Sequence, residues 1–187
     1  MLDDVIGTYL DTLDEREFDA PFMSLLRSLV SLGFRDIHFL HGQFEFGKDF
    51  IAKRDENGTL HQFTFQTKAG NLNLSGWNDV RGQIDMLRTN AIAHPNFDRT
   101  LPRKPVLVTT GRLAGAAPAA AQDYGTHLQQ LGEGSFEIWD RERLVELIGH
   151  SRADGTDALS GQDRILLLRT MQFVGWLNTR FMSSAHE

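Results

Sequence analysis

Asn57-Gly58 stands between two stretches in which apolar residues alternate with polar ones. An Asn-Gly pair in that setting is the strongest short-range signal for a two-residue hairpin loop, because the turn needs left-handed backbone at both central positions. The dipeptide therefore predicts strands near 44–53 and 60–68 and sets their register, with Asp49 directly opposite Gln66. Side chains alternate faces along a strand. Glu45, Gly47, Asp49 and Ile51 then share one face with Thr64, Gln66 and Lys68, while Phe46, Phe50, Ala52, Phe63 and Phe65 take the other. The phenylalanine face is expected to be core and the opposite face to carry chemistry. Opposed Cβ atoms stand roughly 5 Å apart and diagonal ones roughly 7–8 Å, which brings the Asp49 carboxylate, the Gln66 amide and the Lys68 ammonium within reach of one ion and one phosphate. A four-residue loop would move the partner of Asp49 to Thr64 and keep these faces; a three-residue loop would exchange them.

The rest of the chain supplies layers for such a sheet. Apolar residues at 18, 22, 25, 26, 29 and 32 recur at helical spacing, and Gly33 is placed to end that helix. Ile37 to Leu40 is a short strand. After a polar loop from Gly70 to Gly76, Trp77, Val80, Ile84, Leu87 and Ala91 mark a second amphipathic helix that stops before His94-Pro95. A loop runs to Pro105. Val106 to Thr110 and Phe136 to Trp139 are short apolar strands flanking an alanine-rich helix near 116–131, a pattern that predicts a right-handed crossover and parallel pairing. Asp140 is placed to cap a helix over 141–148. The expected fold class is α/β, a sandwich built around a mixed sheet. Residues 1–150 read as the domain, and 151–187 as a Gly/Ser/Asp-rich linker followed by a helix that Ser160 and Asp163 open.

Composition narrows the function classes. A chain of 187 residues, 41% hydrophobic, can bury one full core. It has no cysteine, which excludes a disulfide framework and a cysteine-based zinc site and fits a reducing compartment. The acidic start Met-Leu-Asp-Asp lacks the charge of a signal peptide, and no apolar run approaches the roughly 20 residues of a membrane helix; a soluble cytoplasmic protein without a membrane partner is expected. The formal charge of −6 opposes a grip on nucleic acid by this chain alone. Local basic clusters, a bound metal or other subunits would have to supply it. The seven histidines form no metal-binding pair at helical spacing, and no phosphate loop or nucleophile elbow is present. Gly111 to Gly115 reads as a strand-to-helix turn.

An aspartate before a hairpin, Gln-x-Lys on the following strand and an upstream helix with an acidic start together resemble the PD-(D/E)xK nuclease superfamily, most closely its Mrr-like restriction endonuclease branch. In that branch glutamine commonly replaces the acidic residue of the second element. The resemblance runs over about residues 17–148: Phe18-Asp19, Leu25-Leu26 and Gly33-Phe34 look like the first helix, and Gly47-Lys48-Asp49 and Gln66-Thr67-Lys68 like the two site elements. Val106 to Gly111 and Glu137 to Val145 look like the closing portion. The helix residue is Asp where Glu is more usual, and no proline precedes Asp49.

The resemblance implies a restriction-endonuclease-like α/β sandwich, its central mixed sheet flanked by helices, and a Mg²⁺-dependent DNA endonuclease acting in restriction or anti-phage defence. It implies Asp49, Gln66 and the Thr67 carbonyl as Mg²⁺ ligands, with Mn²⁺ as substitute and the Thr67 side chain turned toward the core. Lys68 would orient or activate the attacking water. An oxygen-only set suits Mg²⁺, and a neutral Gln66 predicts weak affinity without DNA. Asp19 is the expected fourth site residue, because it shares a helical stripe with Met23, Leu26 and Val30, whereas Glu17 aligns with Ala20, Ser24 and Ser28 toward water. Each candidate has a plainer reading. Asp49 and Lys68 would make a cross-strand ion pair, Asp19 a helix cap, Glu45 an edge charge rather than a distal ligand, and Gln83, aligned with Val80 and Leu87, a rim glutamine rather than a site residue. Arg99, Arg103, Lys104 and Arg112 are candidate contacts to the DNA backbone, or solvated loop charge. The carboxy-terminal helix fits a homo-oligomer or a connection to a further domain of a larger defence protein. The alternative function is a nuclease-fold module that binds nucleic acid or assembles without turnover, favoured by the acidic charge and the neutral Gln66.

Overall fold

Asn57 at φ 54° and Gly58 at φ 82° both occupy left-handed backbone, and the Gly58 N–H donates to Asp55 Oδ1 at 2.8 Å. The hairpin of the computed structural model thus forms in the register that the dipeptide dictates. Strand β2 (Phe50–Glu56) pairs antiparallel with β3 (Thr59–Lys68), from Phe50 opposite Phe65 to Glu56 opposite Thr59. The structure describes residues 32–40, 49–134 and 136–150, with Gly7, Thr8, Leu10, Asp11 and Leu13. The expected first helix, the hairpin residues before Asp49, and the linker and helix over 151–187 lie outside the described residues, and with them Glu17, Asp19 and Glu45.

Strand β1 (Arg35–Phe39) lies antiparallel on the outer side of β2; β4 (Arg103–Thr109) pairs parallel with β3, and β5 (Glu137–Trp139) parallel with β4. The sheet is mixed, in the order β1-β2-β3-β4-β5. β4 starts three residues before the expected Val106 and runs through Pro105, which pairs with Thr64. Thr110 N–H points to β3, where it reaches the Lys68 carbonyl. By alternation the missing N–H of Pro105 points to the β5 side, where pairing begins only at Val106, so proline removes no ladder bond there.

Helix α1 (Leu74–Thr89) begins at Asn73, whose side chain accepts from the Gly76 N–H at 3.0 Å. It buries Trp77, Val80, Ile84 and Leu87. Helix α2 (Ala117–Gln130) joins it on that face, and α3 (Arg141–His150) is capped by Asp140, whose Oδ1 accepts from the Arg143 N–H at 3.0 Å. Phe50, Phe63, Phe65, Val106, Val108 and Trp139 form one core with Phe34 and Leu144. The edge of Phe34 meets Phe63 at 5.1 Å and Trp139 at 6.0 Å. Each such ring contributes roughly 1.5–3 kcal/mol by leaving water. The opposite face, expected to be open for chemistry, is covered too: Leu107 packs with Trp77, Val80 and Ile84, Ile51 packs with Leu40, Ile92 and Phe97, and Thr64 is fully buried. Helix packing is the reason, since Thr64 donates its hydroxyl to the Leu87 carbonyl of α1 at 3.3 Å. Among the described residues no helix is long and apolar enough to cross a membrane.

Candidate functional site

β2 begins at Phe50, opposite Phe65, but β3 continues to Lys68. In an antiparallel pair both main-chain groups of every second residue point to the same neighbour. Asp49 N–H donates to the Phe65 carbonyl at 2.8 Å, so the N–H and C=O of Thr67 point the same way, past the start of β2. The Asp49 carboxylate fills that position. Its Oδ2 accepts from the Thr67 N–H at 2.6 Å, the Thr67 hydroxyl at 2.7 Å and Gln66 Nε2 at 2.9 Å. The Asp49 backbone is held from the other side as well, because its carbonyl accepts from the Leu40 N–H at 2.9 Å.

This geometry differs in one respect from simple alternation. The chain bends at Asp49, and the bend turns the carboxylate over the edge of β3, where it meets Gln66 from one face and Thr67 from the other. Thr67 is buried at 1% exposure, yet its hydroxyl serves Asp49 instead of ending in apolar core. A threonine where the phenylalanine face calls for an apolar side chain was the signal available in the sequence.

Gln66 is held by its amide nitrogen. Its Nε2 donates to Asp49 and, at 3.3 Å, to the Thr67 carbonyl, which leaves Oε1 buried without a hydrogen-bond partner. A buried acceptor left unmatched costs about 1–3 kcal/mol. An unmatched amide oxygen, a carboxylate and a main-chain carbonyl are oxygen donors of the kind that Mg²⁺ takes. Among the described residues there is no group of three or more His, Cys, Asp or Glu side chains placed for a metal, so from these residues any such ion would rest in part on amide or carbonyl oxygens.

Gln83 lies one turn before Leu87 on α1. It is half-buried, and its Oε1 also lacks a partner. From the Thr64–Leu87 contact, one turn back along α1 is about 6 Å and two residues along β3 about 7 Å. As the crossover between the parallel strands β3 and β4, α1 returns against their direction, so Gln83 lies one turn toward the Gln66 end of β3. Lys68 ends β3, half-buried, on the face of Gln66.

The loops behind Lys68 are tied together. Thr109 Oγ1 donates to the Gly70 carbonyl at 2.7 Å, Gly70 N–H donates to Thr110 Oγ1 at 2.8 Å, and Arg112 N–H donates to Asn71 Oδ1 at 2.8 Å.

Other candidates are engaged elsewhere. Lys104 is in register with Phe63 and Lys68 with Thr109, a separation of about 16 Å along the strands. Lys104 Nζ bridges Glu56 and Glu137, at 2.7 Å each. Arg103 donates to the Arg88 carbonyl at 2.9 Å and lies over the Phe97 ring. Arg112, on the same sheet end as Lys68, pairs with Glu142. Arg99 is exposed.

Burial alone would raise the Glu56 carboxyl, but hydrogen bonds from Lys104 and Arg54 outweigh it and hold the group below its usual range. A carboxyl depressed in the folded state stabilises above its unfolded value, near 4.5, and loses that contribution as pH falls through the folded value. Lys104→Met is therefore expected to destabilise the protein by about 1 kcal/mol near neutral pH, with the gap to wild type closing in strong acid. Urea denaturation at both pH values checks this, and a gap independent of pH would rule out the ion pair as its source.

No protein-family model matches the sequence, and no curated protein matches it. Among solved structures, the MspJI restriction endonuclease in complex with a 27-mer oligonucleotide is similar over 89% of this chain, at 18% identity and a TM-score of 0.52. The restriction endonuclease FokI bound to DNA is similar over 81% at 15% identity, with a TM-score of 0.49. The chain spans only part of each, 34% of MspJI and 26% of FokI. At 18% identity the likeness to MspJI is one of fold, and the mixed five-stranded sheet with its flanking helices is the α/β architecture of restriction-endonuclease nuclease domains.

Proposed function

We propose that this chain is a Mg²⁺-dependent DNA endonuclease of the PD-(D/E)xK kind, in which Asp49, Gln66 and the Thr67 carbonyl hold the ion and Lys68 serves the attacking water. The observation that carries the reading is the partnerless, buried Oε1 of Gln66, whose amide nitrogen donates to the Asp49 carboxylate. It lies near the carboxyl end of β3, and ligands of α/β sheets gather at such ends. Mn²⁺ would substitute. The bound ion would supply positive charge that polarises the scissile phosphate and acidifies water. Asp49 and Gln66 would fix where that charge meets the phosphate, and the Lys68 ammonium would position the water and offset charge growing on the phosphoryl oxygens. Water oxygen bonds to phosphorus, the P–O3′ bond breaks, and the 3′ oxygen takes a proton, leaving a 5′-phosphate.

With a formal charge of −6, much of the DNA grip would fall to a further domain or a second subunit. In this reading residues 1–150 are the nuclease unit, 151–187 link it to that partner, Asp19 completes the site, and the setting is cytoplasmic restriction or anti-phage defence of the Mrr-like kind. Incubation with supercoiled plasmid and Mg²⁺ or Mn²⁺ tests it: wild type should nick, Asp49→Asn should not, Lys68→Ala should nick far more slowly, and equal nicking by all three rejects the site.

A second expected outcome concerns the glutamine itself. Glutamate at position 66 would exchange the Nε2 donor for a second carboxylate facing Asp49. Gln66→Glu is expected to lower the thermal midpoint without metal and to tighten Mg²⁺ binding by on the order of tenfold, following ligand charge. Thermal unfolding with and without Mg²⁺ reads both, and an Mg²⁺ response no larger than that of wild type would contradict the ligand role.

One observation favours a second reading. Asp49 Oδ2 already accepts three hydrogen bonds, a self-satisfied arrangement that suits a nuclease-fold module for binding or assembly without turnover. Calorimetric titration with Mg²⁺ and Mn²⁺ in the presence of a DNA oligonucleotide separates the two, because absence of binding selects the module.

A further inference from the structure

We infer that the Thr67 side chain is a positioning residue of this site, its hydroxyl setting the orientation in which Asp49 presents its carboxylate. The inference rests on the metal-dependent reading above. Thr67 gives Asp49 Oδ2 two donors, the main-chain N–H at 2.6 Å and the hydroxyl at 2.7 Å, and Gln66 Nε2 adds a third at 2.9 Å. Three donors converging on one oxygen restrict rotation of the carboxylate and fix where its other oxygen points. The main-chain bond would survive any side chain at position 67; the hydroxyl bond needs Ser or Thr. The position is otherwise suited to an apolar residue, since Thr67 follows Phe63 and Phe65 on the face that forms the larger core and is itself buried. Burying a hydroxyl among apolar groups is unfavourable unless it is bonded, and here the bond goes to the proposed ligand. One residue thereby contributes twice, its carbonyl toward the ion and its hydroxyl to the carboxylate beside it.

Hydrogen-bond partners that orient a ligating carboxylate typically change metal affinity by 10–100-fold when removed. Thr67→Val keeps the shape and deletes the donor, and Thr67→Ser keeps the donor. Mn²⁺ binding to the full chain is measured by calorimetry with a DNA oligonucleotide of non-hydrolysable linkages present, and thermal unfolding without metal checks that each variant folds. Thr67→Val is expected to weaken Mn²⁺ binding by about 10–100-fold and Thr67→Ser to stay within about threefold of wild type. Cleavage by Thr67→Val should recover as Mn²⁺ is raised, showing a defect in affinity rather than in the chemical step. Should Thr67→Val fail to fold, Thr67→Ala makes the same comparison. Binding by the valine variant as tight as wild type overturns the inference and leaves the metal reading standing, as does serine binding as weakly as valine. If wild type binds no Mn²⁺, the metal reading falls and this inference with it.

Discussion

Plasmid cleavage by Asp49→Asn is expected to fall to background at every Mg²⁺ concentration while the protein stays folded. Asparagine keeps the size of the side chain and one amide oxygen, so the donors of Gln66 and Thr67 retain an acceptor. What disappears is the negative charge. The remaining candidate ligands among the described residues, Gln66 Oε1 and the Thr67 carbonyl, are neutral, and a hard cation that gives up hydration reluctantly needs a carboxylate to hold it. Asp49→Ala is a poorer test, because it strands buried donors at about 1–3 kcal/mol each and mixes folding with chemistry. Lys68→Ala should behave differently, binding Mn²⁺ like wild type but cleaving about 10²–10³-fold more slowly, the usual cost of losing one group that stabilises charge in the transition state. Single-turnover nicking paired with calorimetry separates the two patterns. Nicking by Asp49→Asn at the wild-type rate would place the chemistry elsewhere in the chain.

The reasons that the meeting of Asp49 with Gln66 was legible, and the turn of the Thr67 hydroxyl to Asp49 was not, lie in how far local rules reach. Asn57-Gly58 encodes left-handed backbone at both positions, and a two-residue turn leaves one register, so the pairing of Phe50 with Phe65 follows from the chain alone. The spacing of Trp77, Val80, Ile84 and Leu87 likewise contains the buried stripe of α1. Alternation, however, continues a strand indefinitely; it does not say that β2 begins at Phe50 or that the chain bends at Asp49. The cover over Thr64 depends on where α1 docks, which is a nonlocal event. The partners of Lys104 come together only because β4 and β5 pair parallel, with Val106 beside Glu137. The strand is expected from Val106, after a loop running to Pro105, and only the shortness of β5 shows that the missing N–H of Pro105 is harmless.

Alanine at position 111 is expected to cost more stability than any other single methyl group added to the described glycines. A Cβ on Gly111 would fall inside 3.0 Å of the Gly70 carbonyl carbon and oxygen and of the Asn71 nitrogen. These are backbone atoms, so no side chain can swing aside. Either the end of β4 or the loop after β3 must move, and both are tied down: Gly70 by Thr109 and Thr110, Asn71 by the Arg112 N–H, and the Gly111 carbonyl by the Arg141 N–H at 2.9 Å. With each hydrogen bond worth about 1 kcal/mol net, loosening the knot should destabilise by about 3–4 kcal/mol, near the top of the range for point substitutions. The same displacement would shift Lys68, two residues before Gly70, so cleavage at equal folded concentration should fall as well. Gly82→Ala is the matched control: Gly82 is exposed on α1 with nothing within 4 Å of an added Cβ, and there alanine should stabilise by roughly 0.5–1 kcal/mol through helix propensity. Urea denaturation of both variants decides the point. Coincident transitions for Gly111→Ala and wild type would mean that the two loops do not meet as closely as the structure has them, and the placement of Lys68 would lose its support.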